Sequence, residues 1–284
     1  MLPIRGKGQE MDILYGVAET IGMRREMEDA HRVGADERTG VFSAEVCDGH
    51  AGSLAATIAA QMLTPCFLLG EGAACEKMGE RGFTAENLRE AYLAVDRYIV
   101  AQKTESGAAA AALYIHENRF LAANVGDVRI VIGDGPETVD LTVDHKPGDP
   151  DERARIEALG GRVVSYDVPR VQGILSMSRS LGDAPLKPFV TAEPRIAEGL
   201  LGTGNDVAVI ACDGLWDALT SEEAAAIARN ATGPGDAARL LEAAAMERGS
   251  TDNITVIVLD LRQHTSRAGR DRLYVSRVLD RALP

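Results

Sequence analysis

Apolar positions recur along the chain with two different periods, and the switching between them marks out its elements. Near-alternate apolar residues over Ile13–Ile21 predict a first strand, stopped at Gly22. Val41, Phe42, Ala44 and Val46 predict a second, buried strand that runs into Cys47-Asp48-Gly49-His50. A helical period follows over Ala51–Thr64, with Leu54, Ile58 and Met62 on the core face, a small-residue stripe beside them, and Pro65 as the stop. Gly70–Gly82 is glycine-rich and reads as loop. Thr84 predicts the N-cap of a helix to about Lys103, with Leu88, Ala91, Tyr92, Val95 and Ile99 inward. Short runs at Ala109–Ile115, Phe120–Val125 and Val128–Ile132, separated by Glu117-Asn118 and Gly126-Asp127, predict an antiparallel meander. Asp149-Pro150 opens a helix that Gly160-Gly161 closes. Residues 162–183 read as a loop-rich excursion, and 185–194 as a linker with a short strand near Phe189–Ala192. Asp206–Cys212 predicts a buried strand, Ser221 a helix cap, Asp236 a helix with Leu240, Leu241 and Ala244 inward, and Ile254–Leu261 a last strand. With no repeat at solenoid periods, the mixture implies an α+β or sandwich arrangement.

The chemistry gathers where apolar runs meet acids. Asp48 offers oxygens to a hard cation, Gly49 lets the backbone bend so that its carbonyl can face a ligand, and His50 exchanges a proton near neutral pH. Alone, Asp-Gly is an ordinary turn pair. The run recurs, however, as Val209-Ile210-Ala211-Cys212-Asp213-Gly214. Val125-Gly126-Asp127 and Thr251-Asp252-Asn253 place two more acids beside apolar runs. An acid at the end of a buried strand is costly unless solvated, paired or bound to metal. Four of them around one sheet edge would make a divalent-metal site. The charged run Met23–His31 is most simply a solvated loop; functionally, Glu28 and Asp29 would extend the acid set, and Arg24 would clamp a phosphate or carboxylate. His31 and His145 read as hydrogen-bonding loop or strand-edge residues.

Composition narrows the classes. A 45% hydrophobic content over 284 residues suits a substantial globular core, and no apolar run approaches the ~20 residues of a membrane span. A net charge of −13 argues against nucleic acid or an anionic membrane as the main partner. Met1–Met11 lacks the apolar core of a secretory signal. The four cysteines, Cys47, Cys66, Cys75 and Cys212, show no Cys-x-x-Cys spacing and read as reduced thiols of a cytoplasmic protein, the nucleus being the alternative compartment. Residues 262–284 run against the acidic trend, with six arginines against Asp271 and Asp280. Arg270–Leu283 reads first as a frayed terminus; the alternative is a basic helix that docks on the acidic body, a partner or an anionic membrane.

Seven runs then occur in order: Arg24-Arg25-Glu26-Met27-Glu28-Asp29, Asp48-Gly49-His50-Ala51-Gly52, Asn124–Arg129, Asp144-His145-Lys146-Pro147, Ser178-Arg179-Ser180-Leu181-Gly182-Asp183, Asp213–Asp217 and Gly249–Thr255. Together they resemble the metal-dependent type 2C protein phosphatases over about residues 13–261. The resemblance implies an α+β fold, a β-sandwich of two antiparallel sheets with helices on both outer faces, in four α-β-β-α layers. It implies a short extension at 1–12, a catalytic domain at 13–261 with a flap at about 162–183, and a basic tail at 262–284. It implies hydrolysis of phosphoserine and phosphothreonine on protein substrates, by a water that bridges two Mn or Mg ions and attacks in line. By this resemblance Asp48 bridges the ions, the Gly49 carbonyl, Asp213 and Asp252 complete the ligands, and Glu28 and Asp29 hold metal-bound waters. Asp127 helps hold a third, weaker ion and lies near His50, Arg24 binds the phosphate, and His50 is the general acid. Arg170 and Arg179 become candidates for substrate contact. Oxygen ligands suit Mg and Mn better than zinc. Two departures stand out: Val128 replaces a common serine, and Ala109 stands where threonine is usual, so the third ion is the part placed in doubt. The alternative is a pseudo-phosphatase scaffold, which predicts loss of Asp48, Asp213 or Asp252; all three are present.

Overall fold

The structure, a computed structural model, describes residues 13–69, 82–266 and 268–282. In chain order its elements begin β1 (Leu14–Thr20), β2 (Ala30–Asp36), β3 (Val41–His50), α1 (Leu54–Leu69), α2 (Ala85–Ala101), β4 (Gly107–His116), β5 (Arg119–Val125) and β6 (Arg129–Asp134). They continue β7 (Glu137–Asp140), α3 (Pro150–Ala158), β8 (Val163–Ser165), β9 (Pro169–Val171), β10 (Leu181–Gly182), β11 (Arg195–Leu200) and β12 (Val207–Ala211). The last are α4 (Asp213–Trp216), α5 (Ser221–Asn230), α6 (Pro234–Glu247), β13 (Ile254–Asp260), α7 (Arg262–Thr265) and β14 (Tyr274–Asp280).

Two antiparallel sheets face each other. One runs β1-β13-β12-β6-β7; the other runs β14-β11-β5-β4-β3-β2, with β10 paired onto β4. Phe42, Ala44 and Val46 of β3 meet Ile130, Ile132, Ile210, Ile257 and Leu259 from the opposite sheet in the central core. On the outer faces, α1 and α2 cover the second sheet, and α5 and α6 cover the first. The expected four-layer sandwich is therefore the observed one. Coverage on both faces explains why the first seven residues of β3 and nine of ten in β4 are buried, the polar Ser43 and Glu45 of β3 included.

Helix α2 forms as its sequence specifies. Thr84 accepts the Asn87 N–H, and Leu88, Ala91, Tyr92, Val95 and Ile99 are all buried. Elsewhere tertiary packing overrides local signals. Helix α1 continues through Pro65 to Leu69, because buried Cys66 and Phe67 keep its far end on the sheet at the loss of one backbone bond. Its buried face is the alanine stripe, Ala55, Ala56, Ala59 and Ala60, with Ile58 and Leu63; Leu54 is exposed. Small residues let this helix lie close to the sheet. The cap of α5 is Thr220, reciprocally bonded with Glu223, one residue before the expected Ser221. Leu240 of α6 is exposed while Leu241 is buried. The expected meander breaks after β5: the chain crosses at Gly126-Asp127, and β6 joins β12 in the other sheet.

The tail departs furthest from expectation. Its residues 274–280 are a strand, β14, antiparallel to β11, and not a helix. Its arginines reach acids of the body: Arg272 to Asp134 at 2.8 Å and Glu137 at 2.6 Å, and Arg277 to Glu86 at 2.9 Å. Strand β11 itself carries no sequence signal strong enough to predict it, being short and interrupted by Glu198 and Gly199. The expected loop at 70–82 and the extension at 1–12 lie almost wholly outside the described residues. Among those residues no helix is long and apolar enough to cross a membrane.

Candidate metal centre

One end of the sandwich gathers the acids. Asp48 ends β3, Asp213 begins α4 just after β12, Asp252 precedes β13, Asp127 lies in the crossing from β5 to β6, and Asp29 precedes β2. Their mutual influence shows the convergence. Burial holds the Asp48 carboxyl well above its usual range, and the charges of Asp213, Asp29, Asp127 and Asp252 push it further. Burial, then Asp127, Asp217 and Asp252, raise Asp213 to about 7. Burial raises Asp29 to about 6 despite a Thr255 hydroxyl that donates to it at 2.7 Å. Such a cluster of carboxylates, short of countercharge, is what a divalent cation compensates.

The shared Cys-Asp-Gly run has a steric reason. A Cβ on Gly49 would lie 2.3 Å from the Glu28 carbonyl oxygen, and one on Gly214 would lie 2.0 Å from the Asn253 carbonyl oxygen. Neither glycine has positive φ. Each gives clearance to a crossing backbone and not, as the sequence suggested for Gly49, a bend. Asn253 ties the crossing segments together: its Oδ1 accepts the Glu28 N–H at 2.8 Å, and its Nδ2 donates to the carbonyls of Ile21 and Glu26 at 2.9 and 3.1 Å. The charged run 23–29 is thereby pinned onto the Asp252 turn.

The site residues expected from sequence are placed as follows. Asp48, Asp29, Asp127, Asp213 and Asp252 form the cluster. Glu28 lies at its rim, with Oε1 accepting the Gly52 N–H. Arg24 is exposed and pairs with Asp252 at 2.5 Å. The carboxylate bonded to His50 is Asp183, at 2.9 and 3.0 Å from Nε2, whereas Asp127 is bound by Lys146. Arg179 is not a substrate-facing residue: it is 1% exposed and braces Glu152, Asp280 at 2.8 Å and the Glu193 carbonyl at 3.2 Å. Arg170 donates to the Ile174 carbonyl at 3.1 Å, across the turn that follows β9. Val128 is fully buried in the inter-sheet core, and Ala109 fills the space against Gly126, where an added Cβ would lie 2.4 Å from its own. Both departures are thus packed as apolar residues.

Sequence reasoning missed four participants. Cys212, Asp29 and Asp48 present ligand-type atoms within 4.8 Å of one another. The Cys212 thiol donates to the Asn253 carbonyl and accepts the Thr255 N–H at 3.2 Å, and burial pushes its ionisation well up, so it stays a neutral thiol. Lys146, Thr255 and Asp183 complete the set; all three sit in runs that the sequence left without a role for them, and only spatial proximity supplies one.

Whether these residues fit cations is tested by their unsatisfied atoms. Among the described residues, Asp29 Oδ1, Asp127 Oδ1 and His50 Nδ1 are buried without a hydrogen-bond partner. Buried polar atoms are rarely left so. Two orphaned carboxylate oxygens inside a repulsive acid cluster fit a hard divalent cation and its waters, and the all-oxygen donor set fits Mg or Mn.

A four-layer sandwich with a carboxylate cluster at one end defines a candidate divalent-metal protein, and the comparisons specify its family. The family model "Protein phosphatase 2C" matches residues 13–254. A probable protein phosphatase 2C 68 of Oryza sativa subsp. japonica is 35% identical over 280 residues, which span 88% of this chain and 78% of its own. A probable protein phosphatase 2C 59 of Arabidopsis thaliana is 35% identical over 273 residues, 90% of this chain and 83% of its own. The crystal structure of a serine-threonine phosphatase 2C from Toxoplasma gondii superposes with a TM-score of 0.77, at 22% identity, over 87% of this chain and 94% of its own. The chain belongs to the protein phosphatase 2C family. It is a metal-dependent enzyme that hydrolyses phosphoserine and phosphothreonine on proteins.

Proposed function

We propose that Asp48, the Gly49 carbonyl, Asp213 and Asp252 hold two Mn or Mg ions, that Glu28 and Asp29 hold their waters, and that Asp127 helps hold a third, weaker ion. The observation that carries this reading is the convergence of five aspartates, three of which, Asp29, Asp48 and Asp213, are pushed up by burial and by the charges of their neighbours. When bound, the ions supply an activated water aimed in line at phosphorus and take up charge on the phosphoryl oxygens.

The chain's own groups do the rest. Arg24, exposed and paired only at the rim, exchanges the Asp252 carboxylate for the substrate's equatorial oxygens. His50 gives its proton to the departing seryl or threonyl oxygen. Lys146 offsets the charge of Asp127. The segment 162–194, which carries the flap hairpin β8–β9, selects the phosphoprotein. The cytoplasm or nucleus is the proposed compartment, in keeping with the buried unpaired thiols Cys47 and Cys212.

The test is Mn-dependent phosphate release from a phosphothreonine peptide, with and without chelator, beside Asp48→Ala. Turnover that requires Mn and is lost at least ~10³-fold in the variant supports the assignment. A folded, Mn-saturated wild type no faster than its variant refutes it.

A further inference from the structure

The carboxylate on His50 comes from a loop that sequence reading treats as excursion. Register brings it there. In β3–β4 pairing His50 lies opposite Gly107, and in β10–β4 pairing Gly107 lies opposite Gly182. Gly107 is therefore flanked by the histidine strand on one side and the end of β10 on the other. The next residue, Asp183, adopts a left-handed backbone, φ 50° and ψ 42°, which turns its side chain back across Gly107. Both oxygens reach His50 Nε2, at 2.9 and 3.0 Å.

Several features show that this carboxylate is committed to the ring. Asp183 stands at the N-cap of the 3₁₀ turn Ala184–Leu186, where an aspartate ordinarily accepts backbone N–H groups, yet its side chain makes no capping bond. The Ser180 hydroxyl donates to Oδ2, orienting the group from the other side. Gly107 leaves no spare room: an added Cβ would lie 2.2 Å from Asp183 Oδ2 and 2.4 Å from His50 Nε2. Asp96 of α2 braces the loop by accepting the Gly182 N–H at 2.8 Å and the Lys187 ammonium at 3.0 Å. The other ring nitrogen, Nδ1, has no partner among the described residues, so Asp183 supplies the ring's polar anchor there.

We propose that Asp183 is a positioning residue for His50, fixing the plane and tautomer of its imidazole through Nε2–H so that the ring meets the leaving oxygen. The proposal rests on the reading of His50 as the general acid. The proton passes from the imidazolium to the ester oxygen as the P–O bond breaks; Asp183 accepts a hydrogen bond throughout and takes no proton. A conventional structural ion pair, clamping β10 to β3, would affect every substrate alike. A positioning role affects most the substrates whose leaving group needs a proton.

The experiment compares two substrates on the Mn-saturated full chain: a phosphothreonine peptide, whose alkoxide needs protonation, and p-nitrophenyl phosphate, whose phenolate leaves without it. His50→Ala is expected to lose ~10²-fold or more in kcat on the peptide beyond its loss on the aryl ester. Asp183→Asn keeps a residue that tolerates the left-handed backbone. It is expected to lose roughly 10-fold more on the peptide than on the aryl ester, in kcat and not in KM, and to add nothing in a His50→Ala background. Gly107→Ala, which keeps the carboxylate but displaces the pair, is expected to show the same selectivity. Equal loss on both substrates, independent losses in the double variant, or unchanged kinetics in Asp183→Asn would overturn the positioning role. If His50→Ala itself shows no selectivity, the acid reading fails first and carries the proposal with it.

Discussion

Asp48 and Arg24 show how little a residue's type says without its neighbours. Asp48 is one aspartate among several that end apolar runs, but burial and four neighbouring carboxylates make its isolated charge unfavourable. Asp48→Asn is therefore expected to abolish Mn-dependent turnover while raising the melting temperature of chelator-treated protein. A melting temperature lowered by the substitution would contradict the repulsion inferred here. Arg24 holds Asp252 through one nitrogen at the exposed rim. Arg24→Ala is expected to raise KM for the phosphopeptide roughly 10-fold or more, and Arg24→Lys to recover only part of it, because a lysine lacks the planar fork. A KM unchanged in both variants would remove Arg24 from phosphate binding.

At the scale of elements, the contact between α1 and the second sheet carries a titratable group in its core. Glu45 of β3 is fully buried and accepts from the hydroxyls of Thr64 on α1 and Tyr114 on β4. Burial, only partly offset by those bonds, raises its pKa from 4.5 to about 7. The folded protein then binds a proton that the unfolded chain has already released, so stability is full below about pH 4.5 and declines until about pH 7. The loss attributable to this group is at most about 3 kcal/mol. Glu45→Gln is expected to flatten that part of the stability profile, as read by urea unfolding at pH 5 and pH 7.5; equal slopes in both proteins would refute it. A second element contact depends on Gly16 of β1, where a Cβ would lie 2.3 Å from the Cα of Gly235 in α6. Gly16→Ala is expected to cost about 1–3 kcal/mol, measured by the same unfolding, because backbone cannot yield as a side chain end can.

For the molecule as a whole, the C-terminal strand joins parts that are far apart in sequence. Asp280 of β14 binds Arg179, which binds Glu152 of α3 and stands four residues before Asp183. The tail thus shares one buried guanidinium with the loop that bears the His50 partner. Asp280→Ala is expected to destabilise the fold by about 1.5–3 kcal/mol, the range for a hydrogen bond to a charged group. Arg179 retains Glu152, so folding survives. A melting temperature unchanged by Asp280→Ala would show the link to be inconsequential.

What the sequence determined by itself was local or repeated. Thr84 and the spacing of Leu88, Tyr92, Val95 and Ile99 were enough for α2, because cap and apolar face lie within one helix. The recurrence of apolar-Cys-Asp-Gly singled out Asp48 and Asp213, because burying an acid at two strand ends requires a compensating partner. Tertiary structure alone decided the rest. Pro65 stays helical because Cys66 and Phe67 have a sheet to pack on, a fact absent from their own segment. The basic tail becomes strand because β11 offers an unpaired edge, and an edge exists only once the sheet is built. Asp183 meets His50 because His50 and Gly182, the residue before Asp183, pair with Gly107 from opposite sides, across 133 positions of chain between His50 and Asp183. Hydrophobic period and capping act over a few residues and can be read in order; register, clearance and the sharing of charge depend on which strands lie side by side.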